Sequence, residues 1–151
     1  MKKYLILFIC LFCLTGCDKK GTINCTLSSK DVITGYELQT NYKVNYKGKY
    51  VLNVVSEETV ISDSEDVLDY FEEQINASYN ALNEAYGGYD FNIIREDGKI
   101  TSKAILDYSK MNIEQYVIDI PTAKEYTEDN KMLKEGLVSL YESLGATCDN
   151  K

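Results

Sequence analysis

Histidine and tryptophan are absent from this chain of 151 residues, and Arg95 is its only arginine. Without histidine the chain lacks the commonest general base, the Ser-His and Cys-His nucleophile pairs and the usual zinc ligand. With one arginine and lysines scattered among acids, it also lacks the clustered cations that drive counterion release on nucleic acid, so nucleic acid is not an expected partner. The apolar runs fall short of the roughly 18 residues that a membrane-spanning helix needs. No Gly-rich phosphate loop, metal-ligand spacing or cofactor motif stands in their place, and neither a metal nor a cofactor is expected.

Acid, tyrosine and one short apolar run are what the chain does have. Its formal charge is -8, which becomes -10 if Lys2 and Lys3 are removed, and 13 residues are tyrosine. Lys2 and Lys3 precede the uncharged stretch Tyr4 to Leu14, the length of a secretory signal core, and Leu14-Thr15-Gly16-Cys17 follows it. This segment resembles the lipobox of bacterial lipoproteins. That resemblance implies a diacylglyceryl group, of the palmitate type, on the Cys17 sulfur and cleavage before Cys17. Two acyl chains anchor firmly, at roughly 0.8 kcal/mol per buried methylene. An ordinary signal peptide with an incidental cysteine, or an uncleaved short anchor, are the alternatives. The expected division is residues 1–16 as a removed signal peptide, 17–22 as lipidated cysteine and tether, and 23–151 as one domain on the extracytoplasmic face of the cell membrane. The acidic balance disfavours lying flat on an anionic bilayer, so membrane contact is expected through the lipid.

Within the domain, Ile23 to Ser28 alternates briefly and reads as a first strand. From Tyr36 to Tyr46, Tyr36, Leu38, Thr40, Tyr42, Val44 and Tyr46 alternate with polar residues, which is the period of a strand with one wet face. Lys47-Gly48-Lys49 then turns the chain into Tyr50 to Val55, completing a hairpin. Beyond the Ser62 to Asp66 cluster, Leu68, Phe71, Ile75, Tyr79, Leu82 and Tyr86 recur at helical spacing over Val67 to Tyr86, and Gly87-Gly88 ends the helix. Tyr89 to Ile94 and Ile100 to Tyr108 flank an Asp-Gly turn and predict a second hairpin. A helical turn at Met111 to Tyr116 and a last helix presenting Leu133, Leu137, Leu140, Tyr141 and Leu144 follow, with Gly145 as the stop. The order predicts an α+β fold, an antiparallel sheet of hairpins packed against a long central helix and a C-terminal helix.

The order of these elements, the length, and the segment Asp107-Tyr108-Ser109-Lys110-Met111-Asn112 within Tyr89 to Gln115 resemble the YehR-like bacterial lipoproteins. Such a relationship implies a small α+β lipoprotein domain and assigns no catalytic residues.

With Cys10 and Cys13 in the signal segment and Cys17 on lipid, Cys25 and Cys148 remain. Outside the reducing cytosol, a disulfide tying the two ends of the domain is the economical reading; two buried thiols or a redox pair are the alternatives, the latter disfavoured because the two are far apart in sequence. The acidic clusters at 63–66 and 125–129 suit helix starts better than a calcium loop. Tyr42, Tyr46 and Tyr50 flank one hairpin tip and form a candidate aromatic platform for peptide or glycan, against cross-strand packing as the plainer role. Arg95, close to Glu96 and Asp97, reads as a surface ion pair. The functional expectation is a membrane-anchored, non-enzymatic domain for binding an envelope protein or glycan, or for envelope support; the alternative is a small hydrolase using carboxylates on envelope polymers. Cys17→Ser is expected to abolish fatty-acid labelling of the exported protein, and a serine variant that stays labelled would overturn the lipobox assignment.

Overall fold

The computed structural model describes residues 19–149. Residues 1–18, with the expected signal segment and Cys17, lie outside the described residues, as do Asn150 and Lys151. Strands β1 (Lys20–Asp31), β2 (Tyr36–Lys47) and β3 (Tyr50–Ser62) form a meander, followed by helix α1 (Glu65–Tyr86), the hairpin β4 (Tyr89–Glu96) and β5 (Lys99–Asp107), and helix α2 (Ile113–Asp119). A 3-10 segment (Pro121–Tyr126), the small hairpin β6 (Thr127–Glu128) and β7 (Lys131–Met132), helix α3 (Lys134–Ser143) and β8 (Thr147–Cys148) complete the chain. The main sheet is six-stranded and antiparallel, in the order β4-β5-β3-β2-β1-β8. The α+β fold expected from the order of elements is the one observed.

Alternation in β2 carries into the register. On the helix-covered face the strands line up in cross-strand rows. One row is Ile23-Val44-Val54-Leu106-Tyr89, the next Cys25-Tyr42-Ser56-Ala104-Phe91, then Leu27-Thr40-Glu58-Ser102-Ile93, then Ser29-Leu38-Val60-Ile100-Arg95. Two apolar clusters result. The first joins Ile23, Cys25, Val44 and Val54 to Leu137 and Val138 of α3, and the second joins Val60 and Ile100 to Leu68 and Ile75 of α1. Hydrophobic burial of these side chains is the main driving force for docking both helices.

Several local expectations change. Lys20, Gly21 and Thr22, expected in the tether, pair with Lys47, Tyr46 and Asn45, so β1 begins ahead of residue 23. β3 does not stop at Val55 but runs to Ser62, because the polar stretch Ser56 to Glu58 is held between β2 and β5. Leu144 is 63 % exposed and Val138 takes its place in the core, since α3 ends at Ser143 and Gly145 turns the chain away with φ 96. The acids at 125–129 start no helix; they occupy the 3-10 segment and the β6-β7 hairpin, where Asp129 and Asn130 adopt positive φ, and Lys49 pairs with Glu128. At 63–66, α1 does begin after Ser64, whose side chain makes no capping bond.

Cys25 and Cys148 are direct cross-strand partners with sulfurs 2.01 Å apart, 123 residues distant in sequence. Asp149 continues the pairing through Asn24, its N–H donating to the Asn24 carbonyl at 2.9 Å and its carboxylate accepting from the Asn24 side chain at 3.0 Å. The double variant Cys25→Ser, Cys148→Ser is expected to lose about 2 to 5 kcal/mol of stability, read from urea unfolding. Unchanged unfolding midpoints would show that the cross-link contributes nothing.

Candidate functional site

The two apolar clusters are separated by a polar row. Thr40, Glu58 and Ser102 lie side by side on β2, β3 and β5, on the face that the helices cover, and Thr40 and Ser102 are 2 % and 1 % exposed. Glu58 is partly buried there, and desolvation, with no charged partner among the described residues to offset it, holds its carboxyl above the usual glutamate range. Ser102 Oγ is buried, and its nearest polar neighbour is the Tyr79 hydroxyl.

Beside this row a recess of about 170 Å³ opens between α1 and α3. Tyr79 and Leu82 of α1, Tyr141 of α3 and Tyr42, Ser56 and Tyr89 of the sheet line it. Tyr42 stacks on Tyr141 with ring centroids 4.2 Å apart and planes within 10°, and Tyr79 leans on Phe91 at 5.1 Å. Burial raises the Tyr42, Tyr79 and Tyr141 phenols, Glu58 adding its negative charge at the first two, and burial pushes Tyr89 up to about 12. All four are therefore neutral hydroxyls at physiological pH, able to donate as well as accept hydrogen bonds. The Ser56 and Ser102 hydroxyls near Tyr79 offset its shift only in part.

The aromatic platform expected at the hairpin tip is not assembled as one surface. Tyr42 lies in the recess, and Tyr46 sits under Lys134, with the ammonium 4.7 Å from its ring centroid. A bulge in β3 next to the Asn45/Tyr46 position makes Tyr46 face Val51 and Lys47 face Tyr50, so alternation sends Tyr46 and Tyr50 to opposite faces. Tyr50 instead lies between Lys49 and Lys131, at 5.2 and 4.9 Å. Arg95 reaches across to α1, pairing with Glu65, with Asp69 at 2.9 Å and with Glu72 at 3.0 Å, in place of Glu96 and Asp97. Glu58 and Ser102 were missed by sequence reasoning because β3 was expected to end at Val55. The signal was there: Val54, Ser56, Glu58, Val60 and Ser62 keep period two through the polar stretch.

An antiparallel six-stranded sheet, one face covered by helices and split by a polar row, defines an α+β domain with an aromatic recess. Among solved structures, the NMR structure of the E. coli YehR protein is similar to this chain, with a TM-score of 0.53 and 17 % identity over 87 % of this chain and 91 % of that one. An NMR structure of a protein from Streptococcus pneumoniae TIGR4 gives 0.48, with 16 % identity over 87 % and 86 %. No protein-family model and no curated protein matches the chain in sequence. The first likeness shows a YehR-like fold, as the resemblance in the sequence implied, and carries no activity with it.

The raised Glu58 carboxyl has a thermodynamic consequence. The folded state holds the Glu58 proton more tightly than the unfolded chain, so the stability linked to this group is whole below the ordinary glutamate value of about 4.3 and declines as pH rises through the raised one. Glu58→Gln removes that dependence. Its urea midpoint relative to the parent protein is expected to rise between pH 4 and pH 7, and a difference that is the same at both pH values would refute the desolvated state of Glu58.

Proposed function

We propose that this chain is a lipid-anchored binding domain on the extracytoplasmic face of a bacterial membrane, held there through Cys17, and that it receives its ligand in the recess between α1 and α3. The observation that carries the proposal is a tyrosine-lined hollow with Glu58 in the next cross-strand row. A volume of about 170 Å³ suits one aromatic ring or a similar apolar group, since cavities of about 150 Å³ hold benzene. The ligand class is therefore an aromatic or apolar group that carries a hydrogen-bond donor, such as a side chain of an envelope protein or the apolar face of a glycan. The donor would meet the tyrosine and Ser56 hydroxyls of the lining, and the ring would stack within the tyrosine walls.

A lining of tyrosine, serine and aliphatic residues favours binding over hydrolysis. A glycosidase-type reaction uses two carboxyl groups facing one bond, whereas Glu58 stands in a row with Thr40 and Ser102. Neither a metal nor a cofactor enters this reading.

A photoreactive amino acid at Leu82, on the α1 side of the recess, is expected to capture a partner in living cells. The control position is Ile105, exposed on the uncovered face of the sheet. Capture at Leu82 that is lost on Tyr79→Ala supports the assignment, and equal capture at both positions overturns it.

A further inference from the structure

The net negative charge of the domain is not evenly spread. β1 starts, β2 ends and β3 starts at the same end of the sheet, where Lys20 pairs with Lys47 and Lys47 with Tyr50. The Gly48 N–H donates to the Lys19 carbonyl at 2.9 Å and the Lys134 N–H to the Lys49 carbonyl at 2.8 Å, which draws the start of α3 to the same place. Lys131 on β7 joins them over the Tyr50 ring. Lys19, Lys20, Lys47, Lys49, Lys131 and Lys134 thus share one end, with Glu128, which pairs with Lys49, and Asp129, Asp107 and Glu135 as acids close by. Asp31, Glu37, Asp63, Glu65, Asp66, Glu96 and Asp97 gather at the other end, where Arg95 and Lys99 are taken up in ion pairs.

The lysine-rich end is also the end at which the chain leaves toward Cys17. Only Asp18 and Lys19 separate Cys17 from β1, and three residue steps span at most roughly 11 Å. Even this fully extended reach is only slightly longer than the Debye length of about 8 Å at physiological salt, so the lysines can come close enough to respond to the charge of a membrane surface. A recess of about 420 Å³ opens at this end, with Lys47 and Lys131 beside Tyr50, Leu52, Ser109 and Asp107, whose carboxylate is paired with Lys110 at 3.3 Å. Cationic and amphipathic side chains around a hollow of this size suit a phosphate headgroup and the upper part of its acyl region.

We infer that the end of the domain formed by the start of β1, the β2-β3 turn, β7 and the start of α3 docks on anionic phospholipid headgroups, standing the domain upright with its acidic end pointing away from the bilayer. This inference rests on the Cys17 anchor. It refines the expectation that lipid alone makes the membrane contact: the overall charge repels an anionic surface, but the segregated lysines give one orientation in which the near side attracts it.

The test uses the full lipidated protein in vesicles of phosphatidylcholine alone and in vesicles with added phosphatidylglycerol. Exposed amines are acetylated with a water-soluble reagent and each lysine is quantified by mass spectrometry. Phosphatidylglycerol is expected to slow modification of Lys20, Lys47, Lys49 and Lys131 severalfold while leaving Lys30, Lys99 and Lys103 unchanged, and 0.5 M salt is expected to remove the protection. The variant Lys47→Glu, Lys131→Glu is expected to float with the vesicles and lose the protection at Lys20 and Lys49. Vesicle-bound protein whose lysines react equally in both lipids, or whose protected lysines are those of the acidic end, overturns the docking assignment with the anchor intact. Protein that floats with neither vesicle overturns the anchor itself.

Discussion

The arrangement of the domain depends on the pairing of Cys25 with Cys148. Two residues of strand are too few to hold β8 on a sheet edge, because so short a ladder offers little against the entropy of ordering the chain. Covalent closure at the cross-strand position fixes β8 to β1 and so secures the chain behind α3, whose Leu137 and Val138 pack over Ile23, Val44 and Val54. With α3 in place, Tyr141 lands on Tyr42. α1 is held independently, by Leu68 and Ile75 on Val60 and Ile100 and by Arg95 reaching Glu65, Asp69 and Glu72. The recess is the interval between two helices docked by separate means.

That separation accounts for the polar row. A continuous core would tolerate a glutamate in its middle row only at considerable cost. Here Thr40, Glu58 and Ser102 fall on the line between two apolar clusters, where water can reach the carboxyl, so Glu58 keeps partial exposure while remaining desolvated enough to shift.

Periodic segments were the most legible part of the sequence. The alternation from Tyr36 to Tyr46, the helical spacing from Leu68 to Tyr86 and the Asp-Gly turn between β4 and β5 each specify a structure from one continuous stretch of chain, and each was observed. The cysteine pair was legible by elimination. What could not be read were features that need a neighbour: Glu58 becomes part of a site only when β5 sets Ser102 beside it, and Arg95 finds α1 rather than its sequence neighbours because β4 runs beneath that helix. The tyrosines show the same limit. Tyr42, Tyr46 and Tyr50 share one period in the sequence, but the extra residue in β3 breaks the shared face.

The cross-link near the start of β1 also has a mechanical side. A load entering the chain at its amino end meets β1 first and can strip the pairs of Lys20, Gly21 and Thr22 with β2 one at a time. At Cys25 the stripping stops, because the covalent bond passes the force to β8 and through it to the helix packed above. Only a few residues at the amino end of the sheet can therefore yield before the remainder of the domain bears tension as one body.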